Sequence, residues 1–319
     1  MTLPRFAPRR ELGRTGFIAT RAGIGDLADR SLPLDSCVDT LRRALDAGLN
    51  LVDTAPGYED GYSEQIVGAA LRGRRQGVFV IDKIDHVDRP VLPQVGESLE
   101  RLEMQQADAF VFHSISSLDV YAQLMAPAGR WSELEACRKA GKCRFIGLSS
   151  HHPEVLRAAL ERGGCDLLLF PVGPYVDARY TDEILPRAKS LGVGSVCFKT
   201  FGAGKLLGDS TGYGRPLATR PRGKLSSGGQ DAEAPLLPRL GVSECVAFTL
   251  THDPDVALLG MSFANEQDAA LRAVSEFAPL SRAELAEVRR RAAEAVKDKG
   301  ACWWNPPDGP EATSTLSAD

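Results

Sequence analysis

Four side chains of this 319-residue sequence have types and spacings suited to moving a proton: Asp53, Tyr58, Lys83 and His113. Asp53, Lys83 and His113 stand at or just past the ends of short apolar runs, thirty residues apart, which is the length of one β-α unit. A tyrosine hydroxyl, with a reference pKa of about 10, is a poor acid at neutral pH, and a neighbouring ammonium stabilises its phenolate. Lys83 can supply that ammonium, a buried lysine stays charged when a carboxylate such as Asp53 pairs with it, and a neutral imidazole at His113 can orient a carbonyl toward Tyr58. Together the four make a proton-donating site able to stabilise a developing alkoxide. Taken singly each has a plainer role: an aspartate capping a turn, a solvated lysine, a loop aromatic, a satisfied histidine. Their joint occurrence argues for chemistry.

Such residues converge only if the elements carrying them are neighbours. Strand candidates are Ala22 to Gly25, Asn50 to Asp53, Val78 to Ile81, Ala109 to Phe112, Arg144 to Leu148, Leu167 to Phe170, Val193 to Phe198 and Val256 to Gly260. Amphipathic stretches separate them; Val38, Leu41, Leu45 and Leu49 repeat at helical spacing, as do Leu185, Ala188 and Leu191. Eight strands running from near the start of the chain to near its end, with no composition break, favour an α/β fold closed as a (β/α)8 TIM barrel over an open doubly wound sheet. We expect a single domain over residues 1–319, with the barrel core at 22–300. Arg10 to Thr20, with Gly13 and Gly16, suits an N-terminal β-hairpin plugging the bottom of the barrel. A long loop after the seventh strand, Asp209 to Pro238, is rich in Gly, Pro, Ser and charge and is expected to be a substrate-side lid. Ser281 to Lys297 reads as a charged helix, and residues 305–319 as a polar, mobile tail.

Composition narrows the partners. With 38 basic and 42 acidic residues the formal charge is −4 and both signs are scattered, so no footprint for nucleic acid or an anionic membrane is visible. No run of 18 apolar residues occurs and the N-terminus lacks a secretory apolar stretch, so a cytoplasmic protein, monomeric or a small homo-oligomer, is expected. Seven cysteines without a C-x-x-C pair read as reduced, mostly buried thiols rather than a disulfide framework or zinc site. His151-His152 lacks partners at ligand spacing, reads as a helix-start surface feature, and no metal is expected.

The sequence resembles the aldo-keto reductase family along nearly its whole length. Leu12-Gly13-Arg14-Thr15-Gly16 is similar to the family's N-terminal hairpin, Asp53-Thr54-Ala55-Pro56-Gly57-Tyr58 to its Asp and Tyr motif, and Phe145-Ile146-Gly147-Leu148-Ser149 to its fifth-strand motif. The resemblance implies that Asp53, Tyr58, Lys83 and His113 are the catalytic four, and that a nicotinamide cofactor is bound. The residues support the second implication in part. Lys199-Thr200-Phe201-Gly202-Ala203-Gly204-Lys205 follows the seventh strand and Gly260-Met261-Ser262, leading to Gln267, follows the eighth, where barrels commonly hold phosphates on glycine-rich backbone.

The cofactor set expected is Gly25, Asp53, Ser149, Ser150, Lys199, Thr200, Phe201, Gly202, Gly204, Ser262 and Gln267. Relatives hold the nicotinamide carboxamide with a Ser-Asn pair after strand five and a Gln after strand six; here Ser149-Ser150 and Leu169 stand there. The usual Lys/Arg pair for a 2′-phosphate is missing near Ser262, with Lys199 or Arg272 as substitutes, so NADPH is preferred over NADH by a modest margin. Trp303-Trp304 either lines the pocket mouth or docks the tail.

Together with these residues, the resemblance implies an NAD(P)H-dependent reduction of a small aldehyde or ketone to the alcohol, with Tyr58 as general acid. Two rivals remain: a Schiff-base aldolase using Lys83, and a cofactor-binding redox-sensing or regulatory subunit with little turnover.

Overall fold

The computed structural model describes residues 9–26, 30, 32–207, 239–261, 264–297, 299, 302, 304 and 305. Strands β3 (Ala22–Ile24), β4 (Leu51–Asp53), β5 (Phe79–Ile84), β6 (Ala107–Phe112), β7 (Cys143–Ser149), β8 (Leu167–Pro171), β9 (Gly194–Phe198) and β10 (Val256–Leu259) form a closed parallel barrel in sequence order. β10 pairs with β3 through Ala257↔Ala22, Leu258↔Gly23 and Leu259↔Ile24, so no edge is left open. Helices α1 (Leu34–Asp46), α2 (Tyr62–Leu71), α3 (Val91–Arg101), α4 (Leu118–Leu124), α5 (Arg130–Lys139), α6 (Pro153–Arg162), α7 (Leu185–Ser190), α8 (Val242–Thr251), α9 (Ala264–Ser275) and α10 (Arg282–Val296) lie on the chain between and after the strands.

Alternation along each strand sorts the core into two layers. Leu51, Phe79, Ile81, Ala109, Val111, Leu167, Leu169, Val196, Val256 and Leu258 fill the barrel interior. Their neighbours Val52, Val80, Phe110, Phe112, Leu168 and Phe170 face the helices, where they meet apolar stripes such as Val38, Leu41 and Leu45 of α1. Two residues beyond an interior position the side chain again faces inward, and this parity carries Asp53, Lys83, His113, Ser149 and Phe198 into the upper barrel.

β1 (Arg9–Glu11) and β2 (Ile18–Thr20) form the antiparallel hairpin that the sequence suggests, in register Arg9↔Thr20. Leu12 at its turn is fully buried in the interior layer, Gly13 donates its N–H to Asp255 Oδ2 at 3.2 Å, and Arg14 N donates to Gly192 O at 2.7 Å. These partners lie at the N-terminal ends of β9 and β10, so the hairpin closes the bottom. Gly13 has φ +48, and a Cβ there would stand 2.3 Å from Gly194 N, so only glycine lets the turn press onto the barrel. The proposed lid, Asp209 to Pro238, lies outside the described residues, as do Ser262, Trp303 and the tail beyond Asn305. No helix among the described residues is long and apolar enough to cross a membrane.

Candidate active site

Pairing register explains how the four residues meet. Asp53 is opposite Ile81, and Lys83 sits two residues higher on the same inward face. β5 extends three residues past the apolar run, so Lys83 lies within the strand rather than after it; a charge is tolerated there because a carboxylate awaits it. Lys83 Nζ donates to Asp53 Oδ2 at 2.8 Å and to Thr54 O at 2.7 Å, with the two side chains 2% and 4% exposed. The same ammonium lies 4.4 Å from the centroid of the Tyr58 ring. The Tyr58 and His113 rings meet edge to face, centroids 5.6 Å apart. The structure thus brings Asp53, Tyr58, Lys83 and His113 together at the C-terminal rim.

Electrostatics divide the roles. Burial alone would strip the proton from Lys83, but the Asp53 carboxylate, with Tyr58, outweighs it and holds the ammonium above its ordinary pKa. Burial also raises the Asp53 carboxyl, with Lys83 pulling the other way. Tyr58 departs from the expectation of a lowered pKa: burial raises it above its ordinary value, and the opposing pull of Lys83 does not overcome that. The hydroxyl is therefore fully protonated at neutral pH.

A fifth residue completes the rim. Lys83 is opposite Val111 and Ile84 opposite Phe112, so the register carries Asp85 to the level of His113. Asp85 Oδ1 lies 2.6 Å from His113 Nδ1, and Asp85 Oδ2 accepts from Gly57 N at 2.6 Å. Burial raises the Asp85 carboxyl, but His113, the Gly57 N–H and the Lys83 charge leave it below the usual range. Sequence reading missed Asp85; the signal available was its parity with Lys83 and its place two residues farther along, matching His113 after Val111.

Of the expected cofactor residues, some face the rim and others do not. Ser149 is inward but its oxygen already accepts from Ser114 N at 2.8 Å. Ser150, one residue out of parity, is fully buried and donates to Ile115 O at 2.6 Å. Leu169 is fully buried in the apolar interior, where a carboxamide would find no partner. Gln267 spends its amide inside the protein: Nε2 donates to Thr40 O at 2.7 Å and Oε1 accepts from Arg43 at 2.9 Å, tying α9 to α1. A Cβ at Gly25 would stand 3.6 Å from Leu259 O, an ordinary contact, so close packing does not demand glycine there.

The loop after β9 is different. Lys199, Gly202, Ala203 and Gly204 all have left-handed φ. Burial lowers the Lys199 ammonium to about 8, and the buried Thr200 hydroxyl has no hydrogen-bond partner among the described residues. Phe201 is buried against the outer core layer. A donor without a partner beside a desolvated cation, on backbone turned back on itself, fits an anionic group such as a cofactor phosphate. The loop is covered by Trp304, which is fully buried and donates Nε1–H to Tyr175 O at 2.9 Å, while Asn305 Oδ1 accepts from Asp177 N at 3.0 Å. This tryptophan docks the chain end. His152 does precede α6, but His151 is no surface feature: its ring packs 5.0 Å from that of Phe198, Nδ1 lies 3.3 Å from Ser114 Oγ, and burial keeps it neutral. Among the described residues no group of three or more His, Cys, Asp or Glu is placed to hold a metal.

An eight-stranded parallel barrel with a bottom hairpin carries an inward Lys-carboxylate pair beneath a tyrosine at its C-terminal rim. A sequence model of the Aldo/keto reductase family matches residues 21–290, and the chain belongs to that family. It is 30% identical over 216 residues to the L-galactose dehydrogenase of Arabidopsis thaliana, covering 62% of this chain and 66% of that protein. To the NADH-specific methylglyoxal reductase of Escherichia coli (strain K12) it is 28% identical over 229 residues, 63% of this chain and 69% of the other. The matched region thus spans about two thirds of these curated relatives' length. An aldo-keto reductase structure from Klebsiella pneumoniae in complex with NADPH shares the fold, with a TM-score of 0.67 at 21% identity, over 89% of this chain and 94% of that one.

Proposed function

We propose that the chain is a nicotinamide-dependent oxidoreductase that reduces a small aldehyde or ketone to the alcohol, with Tyr58 as the general acid. The observation that carries this reading is the buried Lys83–Asp53 pair at 2.8 Å, whose ammonium lies 4.4 Å from the Tyr58 ring centroid. A desolvated ion pair is costly to maintain, and here it underlies the Tyr58 ring. Tyr58 carries a proton at rest and releases it only as negative charge develops on that oxygen, with the Lys83 ammonium stabilising the phenolate left behind. His113 holds the carbonyl at the rim, and Asp53 keeps Lys83 charged. When bound, the nicotinamide supplies the hydride that balances this proton. Lys199, Thr200, Gly202 and Gly204 would hold the cofactor's phosphates, and Ser149 one edge of its carboxamide. We assign NADPH in preference to NADH because Lys199 or Arg272 can substitute for the Lys/Arg pair that takes the 2′-phosphate.

The second reading, a cofactor-binding redox-sensing or regulatory subunit with little turnover, draws on one feature: Leu169, and Ser150 with its hydroxyl given to Ile115 O, leave the carboxamide with few partners. Fluorescence titration with NADPH and NADH, followed by cofactor oxidation at 340 nm with aromatic and aliphatic aldehydes, separates the two. Multiple turnovers with an aldehyde support the reductase. Tight binding of NADPH without oxidation by any carbonyl supports the subunit, and tighter binding of NADH removes the cofactor assignment.

A further inference from the structure

We propose that Asp85 is a positioning residue that locks His113 into the form protonated on Nδ1, so that His113 donates to a carbonyl oxygen only as the imidazolium and accepts from an alcohol when neutral. The inference deepens the reductase reading and rests on it for its substrate half.

The argument starts from what a carboxylate can do. An ionised carboxylate only accepts hydrogen bonds, and the surroundings of Asp85 keep it ionised. At 2.6 Å from Asp85 Oδ1, His113 Nδ1 must therefore carry a hydrogen. In a neutral imidazole that leaves Nε2 as a bare lone pair. A neutral His113 held this way meets a carbonyl oxygen lone pair to lone pair, which is repulsive; it can hold a carbonyl only after a second proton reaches Nε2. Toward an alcohol the preference reverses, because the hydroxyl can donate to Nε2.

Asp85 is itself held. Its second oxygen accepts the Gly57 N–H at 2.6 Å, and a Cβ on Gly57 would stand 2.6 Å from that oxygen. One carboxylate thus joins the Tyr58 loop to the histidine, and the glycine before Tyr58 leaves room for it. The other groups facing His113 are Asp53 at the end of β4, Tyr58 from the loop that follows it, Lys83 from β5, and His151 from the loop after β7, which burial keeps neutral. Lys83 is compensated by Asp53, so Asp85 is the group that selects between the ring nitrogens.

Two variants test this. Asp85→Asn keeps the shape and removes the charge, and its amide can donate to Nδ1. Gly57→Ala keeps the charge and pushes the carboxylate aside. Long-range 1H–15N correlation on 15N-labelled protein reports the protonation of each His113 nitrogen across a pH titration, without any substrate. We expect wild type to keep Nδ1–H throughout and to lose only the Nε2 proton, and both variants to populate neutral Nε2–H. With an aldehyde substrate, wild-type carbonyl KM should rise about tenfold per pH unit once Nε2 deprotonates, as one titrating group requires, and should stay flat within about twofold in Asp85→Asn. Neutral wild-type His113 protonated on Nε2, or an unchanged pH dependence in both variants, overturns the proposal. If no carbonyl is turned over, the reductase reading falls and the nitrogen signals alone decide the role of Asp85.

Discussion

The two ends of the barrel both gather charge, and they do so in opposite ways. At the bottom, Asp253 receives Arg10, Arg21 at 3.0 Å and Lys189 at 2.6 Å, with the aspartate side chain 40% exposed. At the top, Lys83 and Asp53 are sealed, 2% and 4% exposed, with one carboxylate for one ammonium. Water screens the bottom cluster, and such pairs contribute little each. The top pair has lost its water and depends wholly on its partner; a hydrophobic pair of similar volume would serve stability as well or better. Three cations on one exposed aspartate close a barrel, whereas a single buried pair beneath a tyrosine accords with the proposed role of tuning that tyrosine.

The contrast yields graded expectations. Lys83→Met leaves Asp53 buried without its counter-charge, so unfolding free energy in urea should fall by about 3–5 kcal/mol, and activity should be lost as the phenolate loses its stabiliser. Adding Asp53→Asn should recover most of that stability and none of the activity. Recovery of both would mean the pair is structural, like the bottom cluster.

A smaller effect is expected one residue away. Asp82 points out of the barrel toward the helices, is fully buried, and is raised well above the usual carboxylate range by burial, then by the charge of Glu64 on α2, which Arg101 pairs. A group whose folded pKa lies above its unfolded value costs stability as pH rises through the interval between them. Asp82→Asn should therefore raise Tm, with a gain that grows from acidic to neutral pH; a gain that shrinks with pH would show Asp82 to be ionised and paired. Least of all, Asp253→Asn should cost less than about 1 kcal/mol, diminishing in high salt. The Asp253 carboxyl is raised by burial but brought below its ordinary range by Arg10 and Lys189, so this contribution is present at neutral pH and lost as pH falls through the lowered value. A cost matching that of Lys83→Met would erase the distinction between the two ends.

Parity and repeat length explain how much of the molecule can be read without coordinates. Asp53, Lys83 and His113 are legible because each continues an alternating apolar strand, and strands thirty residues apart in a parallel barrel are neighbours. The bottom hairpin is legible from Gly13 and Gly16 bracketing a turn. The orientation of Ser150 is not legible from the sequence: adjacent residues face opposite ways, so a pair that looks like one feature divides into an inward and an outward hydroxyl, the latter given to Ile115 O. The hydrogen bonds of Gln267 are not legible either, because its partners, Arg43 and Thr40, lie over two hundred residues away in α1. Asp85 escaped notice since its meaning lies in the register between β5 and β6 and in the glycine that admits it. His151 reads as surface until the barrel brings Phe198 against it.

The most direct test of the central claim is Tyr58→Phe, which deletes the hydroxyl and keeps the ring that packs against His113 and Lys83. Single-turnover oxidation of bound NADPH by an aldehyde isolates the proton-coupled step from substrate binding and product release. The account predicts a fall of about 10²-fold or more in that rate, with NADPH affinity and Tm close to wild type. A rate near wild type, with cofactor still bound, would contradict the assignment of Tyr58 as the proton donor.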